Sequence, residues 1–235
     1  MKKVLIVLFG IGLTLFTENS LMALPADDTI VQRVHKIVED LKATSFPQLR
    51  NNEIDIKLFD SQSDYFQSRF TLTSFLFGRR LRCLLLVNRK VFADGIPEDG
   101  LRAVIAHELG HALYYDSRNR LKLLGLVRLV GKGFTARFER ATDLETIAHD
   151  YAEGLKSYRR WQYTQIPTNK LVEKARNYFS PEEIDAIQLK LCAQPCLLKS
   201  WRKRPPRSLL EIEQAKISQI ILDCLYRPGL SALAD

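Results

Sequence analysis

The sequence of 235 residues lacks the short motifs that mark several large enzyme classes. It has no glycine-rich phosphate loop, no Gly-x-Ser-x-Gly elbow and no pairing of a cysteine with a histidine. No motif therefore indicates a nucleotide-binding protein or a serine or thiol hydrolase. The chain also has no internal repeat and no low-complexity tract. What remains is a composition of 46% hydrophobic and 26% charged residues, which is typical of a folded domain.

Histidine is scarce as well, because the chain has only four, and two of them lie in one short stretch. In AVIAHELGHALYYD, residues 103–116, His107 and His111 are four residues apart and Glu108 follows the first. On a helix this spacing puts both imidazoles on one face, and Glu108 leans over the same face. Histidine nitrogens bind zinc, and a nearby carboxylate can take the proton of a water molecule on the metal. The alternative is an amphipathic helix that happens to contain histidines.

A third ligand is expected from a second long helix, which the apolar spacing predicts over residues 134–158. Glu139, Asp143 and Asp150 lie opposite its apolar face, either as a solvated acidic stripe or as part of a metal site. Like charges four residues apart, as in Glu139 and Asp143, destabilise a helix mildly, and a cation between the helices reverses that effect. Glu139 is then the predicted ligand and Asp143 the acceptor of an imidazole N–H. His149 lies near the apolar edge, where it is expected to pack or to serve as a secondary group.

The rest of the chain predicts a few strands followed by helices. The second and third strands are expected to form a hairpin around FGRR, and the third to be covered on both faces. Ser180 and Ser208 are predicted helix N-caps. The predicted elements are, in chain order, a helix at 27–42, strands at 53–60, 66–77 and 80–92, a helix from Pro97, and short helices after Pro167.

The first 26 residues are set apart from the fold. Lys2 and Lys3 precede an apolar run, residues 4–16, in the pattern of a secretory signal peptide, with an uncleaved anchor as the alternative. Export to the periplasm or the extracellular space is therefore expected. The net charge of +8 favours acidic partners such as anionic lipid headgroups, and export argues against nucleic acid. The basic, leucine-rich residues 120–130 either contact a membrane or pack in the core.

The four cysteines permit disulfides in an exported protein, with zinc bound by four thiolates as the rival interpretation. We expect Cys224 to pair with Cys192 or Cys196 and so to fasten the C-terminal helices. Cys83 lies in the apolar run RCLLLV, where a buried and unreactive thiol is expected.

The segment LRAVIAHELGHAL followed by ERATD resembles the gluzincin metallopeptidases, whose pattern is HExxH and a later ExxxD on a second helix. The lead-in IPEDGLRAVIAHELGHA, directly after an apolar strand, is most similar to the CAAX-prenyl-protease-like (HtpX-type) branch. The resemblance covers residues 53 to about 155. Carried over by position, the implied roles are zinc ligands for His107, His111 and Glu139, a general base for Glu108 and support of a ligand for Asp143.

The chain departs from that branch in two respects. It lacks clear transmembrane helices, and it has no histidine after residue 149 that would match the branch's downstream electrophile. His149, Tyr151 or an arginine can take that role, and the sequence does not choose between them.

The resemblance and the predicted elements together imply an α+β fold. In this zincin-like fold a small, mostly antiparallel sheet packs on the HExxH helix and on a second, ligand-bearing helix. An edge strand of the sheet pairs with an extended substrate. The expected boundaries are a signal peptide or anchor at 1–26, a metallopeptidase core at 27–160 and a helical C-terminal extension at 161–235 that packs on the core.

The expected function is that of an exported zinc-dependent endopeptidase, or an aminopeptidase-like hydrolase, that acts on a peptide or protein substrate. Water on Zn²⁺, deprotonated by Glu108, attacks the peptide carbonyl, and Glu108 then protonates the leaving amine. The alternative is a non-catalytic zinc-binding or chaperone-like module on the same scaffold. An intact Glu108 argues against that alternative, because binding needs the histidines but not the base. The sequence leaves the cleavage specificity and the oligomeric state open.

Overall fold

The computed structural model describes residues 27–71, 74, 82–116 and 132–215. Predictions for the N-terminal segment, the FGRR turn, residues 120–130 and Cys224 lie outside these residues. The described part is a mixed α+β fold, mostly helical with a small three-stranded sheet. Its elements are α1 (Asp27–Thr44), a short 3-10 turn (Pro47–Leu49), β1 (Ile54–Phe59), β2 (Phe66–Phe70), β3 (Cys83–Asn88), α2 (Lys90–Ala93), α3 (Glu98–Asp116), α4 (Lys132–Ala148), α5 (Ala152–Gln165), α6 (Thr168–Asn177), α7 (Pro181–Ala193), α8 (Leu197–Lys203) and α9 (Leu209–Gln214).

The sheet has the strand order β1-β3-β2. Its central strand, β3, pairs antiparallel with β2, as predicted, with Phe66 opposite Val87 and Phe70 opposite Cys83. On its other side β3 pairs parallel with β1. The sheet is therefore mixed rather than mostly antiparallel. The reason is topological, because β3 rather than β2 lies beside β1, and β3 runs in the same direction as β1.

The third strand is shorter than the sequence predicts, because it ends at Asn88. The Asn88 side chain donates to the carbonyl oxygens of Ser61, at 2.8 Å, and Asp64, at 2.9 Å, and accepts from the amide of Lys90 at 3.1 Å. These bonds turn the chain into α2 instead of extending the strand.

Only one face of β3 is fully buried, although the sequence predicts cover on both. Leu85 and Val87 belong to the main hydrophobic core, whereas Leu84 and Leu86 on the other face are half-buried. The core side chains come chiefly from α1, β3 and α3, so the sheet supports the HExxH helix from one side. The predicted amphipathic face of α1 is buried at Ile30, Val34, Ile37, Val38 and Leu41.

The long helix predicted over residues 134–158 is interrupted after Ala148. Asp150 has a φ of 67°, a left-handed conformation that aspartate adopts more readily than most residues. The amide of Tyr151 bonds back to the Thr146 oxygen and that of Asp150 to the Ile147 oxygen, which is the Schellman pattern of a helix end. Asp150 therefore leaves the predicted acidic stripe, and α5 runs as a separate helix.

The C-terminal helices share a second hydrophobic core with α4 and α5. Ser180 and Glu183 form the predicted capping box at the start of α7, and Ser208 caps α9 by accepting from the Glu211 amide at 3.3 Å. No helix of the described residues is long and apolar enough to cross a membrane. The second core consists of Ala103, Leu144, Ile147, Ala152, Leu155, Phe179, Ile184, Ile187, Leu197, Trp201 and Ile212.

The cysteines differ in their surroundings. Cys83 is buried, as predicted, and burial raises the pKa of its thiol to about 11, which makes it a poor nucleophile. Cys192 is exposed and Cys196 half-buried, and both are free thiols in the described part of the chain. Because Cys224 lies outside the described residues, its pairing stays a prediction.

Close packing of α3 against α5 depends on Gly154. A Cβ at this position would lie 2.8 Å from the Ala103 Cβ and even closer to the Asp99 carbonyl oxygen. Gly154→Ala is therefore expected to force the helices apart and to lower the free energy of unfolding by about 1–3 kcal/mol. Chemical denaturation checks this. The control is Gly133→Ala, since a Cβ there meets nothing within 4 Å, and an unchanged stability of Gly154→Ala would contradict the packing.

Candidate metal centre

Helix α3 carries both histidines of the motif on one buried face. It begins directly after Pro97, and Glu98 and Asp99 in its first turn suit the positive end of the helix dipole. The rings of His107 and His111 meet edge to face, with centroids 4.8 Å apart. Only 3% of His107 and 5% of His111 is exposed. Both imidazoles are thus held side by side, away from bulk solvent.

The second helix of the site, α4, comes close to α3 at Gly110. A Cβ at Gly110 would lie 2.9 Å from the Thr142 Cγ2, so a larger residue would push α4 away. This close approach lets the Glu139 side chain reach across. Its Oε2 lies 3.2 Å from the Nε2 of His107 and 3.2 Å from the Nε2 of His111. Three side chains on two helices, which the sequence predicted as ligands of one metal ion, therefore meet at one point.

Thr142 fixes the orientation of His111. The Thr142 hydroxyl donates its hydrogen to the Phe138 carbonyl at 3.0 Å. Its oxygen, 3.2 Å from the His111 Nδ1, is therefore left to accept a hydrogen from that nitrogen. The hydrogen of neutral His111 then sits on Nδ1, and the lone pair of Nε2 faces Glu139, as metal binding requires.

Asp143 lies next to the Nδ1 of His107, as Thr142 lies next to the Nδ1 of His111. It is fully buried, and its Oδ1 lies 2.8 Å from the His107 Nδ1, although the two groups are not aligned as a hydrogen bond. Arg159 donates to the same oxygen at 2.9 Å, and the Phe179 amide donates to Oδ2 at 3.0 Å. The carboxylate is thus fixed by two donors, and its charge favours a hydrogen on the Nδ1 of His107, leaving Nε2 to face Glu139.

The charges of the site favour a bound cation. Burial lowers the pKa of His107, but the carboxylates of Asp143 and Glu139 outweigh burial and raise it to about 9. Burial likewise opposes ionisation of Glu139, yet the two imidazoles hold its pKa below the usual range. The pKa of Asp143 is also lowered, against the effect of burial, by Arg159 and His107. Ionised carboxylates beside two imidazoles suit a metal ion that replaces the imidazole proton.

The donor atoms also fit zinc. One imidazole nitrogen from each of His107 and His111 and a carboxylate oxygen of Glu139 all lie within 4.8 Å of one another. Ligands of tetrahedral zinc, at bond lengths of about 2.0–2.1 Å, are separated by about 3.3–3.4 Å. The two 3.2 Å separations from Glu139 are close to that value. Two imidazoles and one carboxylate are, moreover, a ligand set of catalytic zinc sites.

Glu108 lies beside this cluster and is itself buried, with 7% of its surface exposed. Its Oε2 has no hydrogen-bond partner among the residues that the structure describes. Its backbone oxygen accepts from the Ser68 hydroxyl at 3.0 Å, which ties α3 to β2. The geometry therefore offers a metal-binding cluster with a carboxylate next to it, one oxygen of which has no partner among the described residues.

Comparison with known proteins agrees with this geometry. The model of peptidase family M48 matches residues 31–158, just over half of the chain. The chain belongs to peptidase family M48. The matched range runs from α1 into α5 and includes the metal-binding cluster, so the predicted resemblance to metallopeptidases is confirmed. No curated protein and no solved structure matches the chain.

Two predicted electrophiles of this M48 chain are engaged elsewhere. The ring of His149 packs on Phe46, with centroids 4.5 Å apart, and its Nε2 lies 3.5 Å from Glu145. The Tyr151 hydroxyl lies 2.6 Å from that of Ser45. His149 therefore packs, as its position at the apolar edge predicts, and neither side chain belongs to the cluster. Of the two interpretations of the acidic residues, the solvated stripe does not hold for Asp143, which is fully buried.

Sequence reasoning missed three residues that shape the M48 site. Thr142 was within reach, because it lies three residues after Glu139 and helical spacing puts it on the same face. Arg159 and Tyr178 lie on later parts of the chain. The centroid of the Tyr178 ring is 5.9 Å from that of the His107 ring. The Arg159 guanidinium stacks on the Tyr178 ring, 4.3 Å from its centroid. Their approach depends on the turn at Asp150, which no sequence pattern indicated.

Proposed function

We propose that this M48 chain is an exported zinc-dependent metallopeptidase that hydrolyses peptide bonds in peptide or protein substrates. The observation that carries the proposal is the convergence of two imidazole nitrogens and one carboxylate oxygen within 4.8 Å, beside the buried Glu108. The pattern of a signal peptide over residues 1–26 supports export.

His107, His111 and Glu139 are the proposed zinc ligands. The two histidines have their Nδ1 atoms turned towards Thr142 and Asp143, which leaves both Nε2 atoms for the metal. A zinc ion held by these three side chains would supply a Lewis acid that activates water and polarises a substrate carbonyl.

Glu108 is the proposed general base and acid. Its carboxylate takes a proton from the attacking water and returns it to the nitrogen of the leaving amine as the peptide bond breaks. The Ser68 hydroxyl, which donates to the Glu108 backbone oxygen, holds this turn of α3 in place.

The edge strand β2 is the proposed platform for the substrate. It lies at one edge of the sheet and contacts α3 through the bond from Ser68 to Glu108. The metallopeptidase resemblance implies that an extended peptide pairs with such an edge above the active helix. A peptide added there would run past the metal cluster by main-chain hydrogen bonding.

Metal analysis and a peptide-library cleavage assay test this function. The purified protein is expected to contain one zinc per chain and to cleave peptides. Removal of the metal with a chelator should abolish cleavage, and added Zn²⁺ should restore it, because hydrolysis needs the metal. Zinc binding without any cleavage across the library would favour the non-catalytic module, and cleavage that survives complete zinc removal would contradict the proposed chemistry.

A further inference from the structure

A small cavity lies beside the candidate base and His107, between β2, α3, α5 and α6. It has a volume of about 20 Å³. A cavity of about 10–15 Å³ or more can hold one water molecule, provided that two to four polar groups line it. Glu108, Tyr158, Arg159 and Gln162 all line it. The cavity thus has the size and the polarity of a site for a single water molecule.

Two buried atoms of opposite hydrogen-bonding character belong to residues that line this cavity. The Oε2 of Glu108 and the Nε of Arg159 have no hydrogen-bond partner within the described part of the chain. Glu108 is 7% exposed and Arg159 is 2% exposed. The first atom only accepts and the second only donates. One water molecule between them can satisfy both, and buried polar groups are nearly always satisfied in this way or directly.

Tyr158 offers a third partner for the same water. Gln162 donates from its Nε2 to the Tyr158 hydroxyl oxygen at 3.1 Å, so the hydroxyl hydrogen is left for another acceptor. Burial raises the pKa of Tyr158, which keeps that hydrogen in place. The remaining nitrogens of Arg159 face other groups, with Nη2 at 2.9 Å from Asp143 and Nη1 at 3.5 Å from Gln162.

We infer that the cavity binds one water molecule, which accepts from Arg159 Nε and Tyr158 Oη and donates to Glu108 Oε2. This inference rests on the proposed function and adds a part to it. With Oε2 held by the water, the Glu108 carboxylate cannot rotate freely, and its Oε1 is left to exchange protons with the substrate. Arg159 is thereby a positioning residue for the base as well as a partner of Asp143.

Filling the cavity separates these two roles of Arg159. A substitution of Arg159 itself would also disturb Asp143 and His107, so its effect on the rate would be ambiguous. Val104 lines the same cavity and is 3% exposed, and it does not bind any of these polar groups. Val104→Ile adds one methyl group to the wall of the cavity and leaves the Arg159–Asp143 pair intact. The matched control is Val104→Ala, which leaves room for the water.

The test combines a high-resolution crystal structure with steady-state kinetics of the zinc-loaded protein. The wild type is expected to show an ordered oxygen within hydrogen-bond distance of both Glu108 Oε2 and Arg159 Nε, and Val104→Ile is expected to lose it. Misplacement of a reacting group can lower a rate by about 100-fold. We therefore expect kcat of Val104→Ile to fall by about 10- to 100-fold, with KM and zinc content unchanged and with kcat of Val104→Ala nearly that of the wild type.

Three outcomes would overturn the inference. They are a wild-type structure without that oxygen, a filled cavity in Val104→Ile with an undiminished kcat, and a loss of rate in a variant that keeps the water. If no peptide is cleaved by the wild type, the proposed function fails, but the crystal structure still decides whether the water site exists. The two failures are therefore distinguishable.

Discussion

Replacing Glu108 with Gln is expected to reduce peptide hydrolysis by about 100- to 10,000-fold, because general acid–base catalysis contributes about that much. Gln has the size of Glu but cannot take a proton at neutral pH. The proposed zinc ligands are other side chains, so the zinc content should not change. Since Glu108 has few partners to lose, the fold is also expected to stay intact.

Zinc content, unfolding temperature and kcat/KM, measured on the same preparations, check this expectation. The control is Glu98→Gln, which makes the same chemical change at the exposed start of the same helix and should leave the activity unaltered. Hydrolysis at the wild-type rate in Glu108→Gln would contradict the proposed role of Glu108 as general base. A loss of zinc together with activity would instead place Glu108 among the ligands or their supports.

The parts of the site that depend on local spacing were predictable from the sequence. His107 and His111 are four residues apart on one helix, and Glu139 and Asp143 are four apart on another. A helix converts such spacing into a common face whatever the tertiary structure is. The prediction that α3 and α4 share a metal site followed from charge, because a bound cation stabilises two acids on one helix face.

The parts that depend on long-range contacts were not predictable. The strand order places β3 beside β1, and no pattern within the strands specifies which neighbour each one takes. The turn at Asp150 needed a left-handed aspartate inside a continuous helical pattern, and that conformation is a minority choice for a residue other than glycine. Arg159 reaches Asp143 only because of that turn.

Buried charge connects these long-range features with the site. Asp143 would be costly to bury alone, and of its partners only an imidazole was predicted from the sequence. In the fold it meets Arg159, the Phe179 amide and the imidazole of His107. The family model ends at residue 158. The C-terminal part of the chain nevertheless contributes to the site, because the Phe179 amide is one of the donors that hold Asp143.

Removing Glu139 is expected to have the largest effect on metal binding. Its Oε2 is 3.2 Å from both Nε2 atoms, so Glu139→Ala takes away a whole ligand from the centre of the cluster. Asp143→Ala removes only the support behind His107, and changes of this kind typically weaken metal binding by about 10- to 100-fold. Glu139→Ala should therefore lose most of the zinc affinity and exceed the loss in Asp143→Ala.

Competition with a chromophoric chelator measures these zinc affinities. The matched controls lie on or next to the same helix. Glu145→Ala removes a carboxylate that pairs with Arg202 and His149, and His149→Ala removes a ring that packs on Phe46. Both variants should bind zinc as the wild type does, because neither side chain belongs to the cluster. If His149→Ala strips the metal while Glu139→Ala keeps it, the third ligand is wrongly assigned.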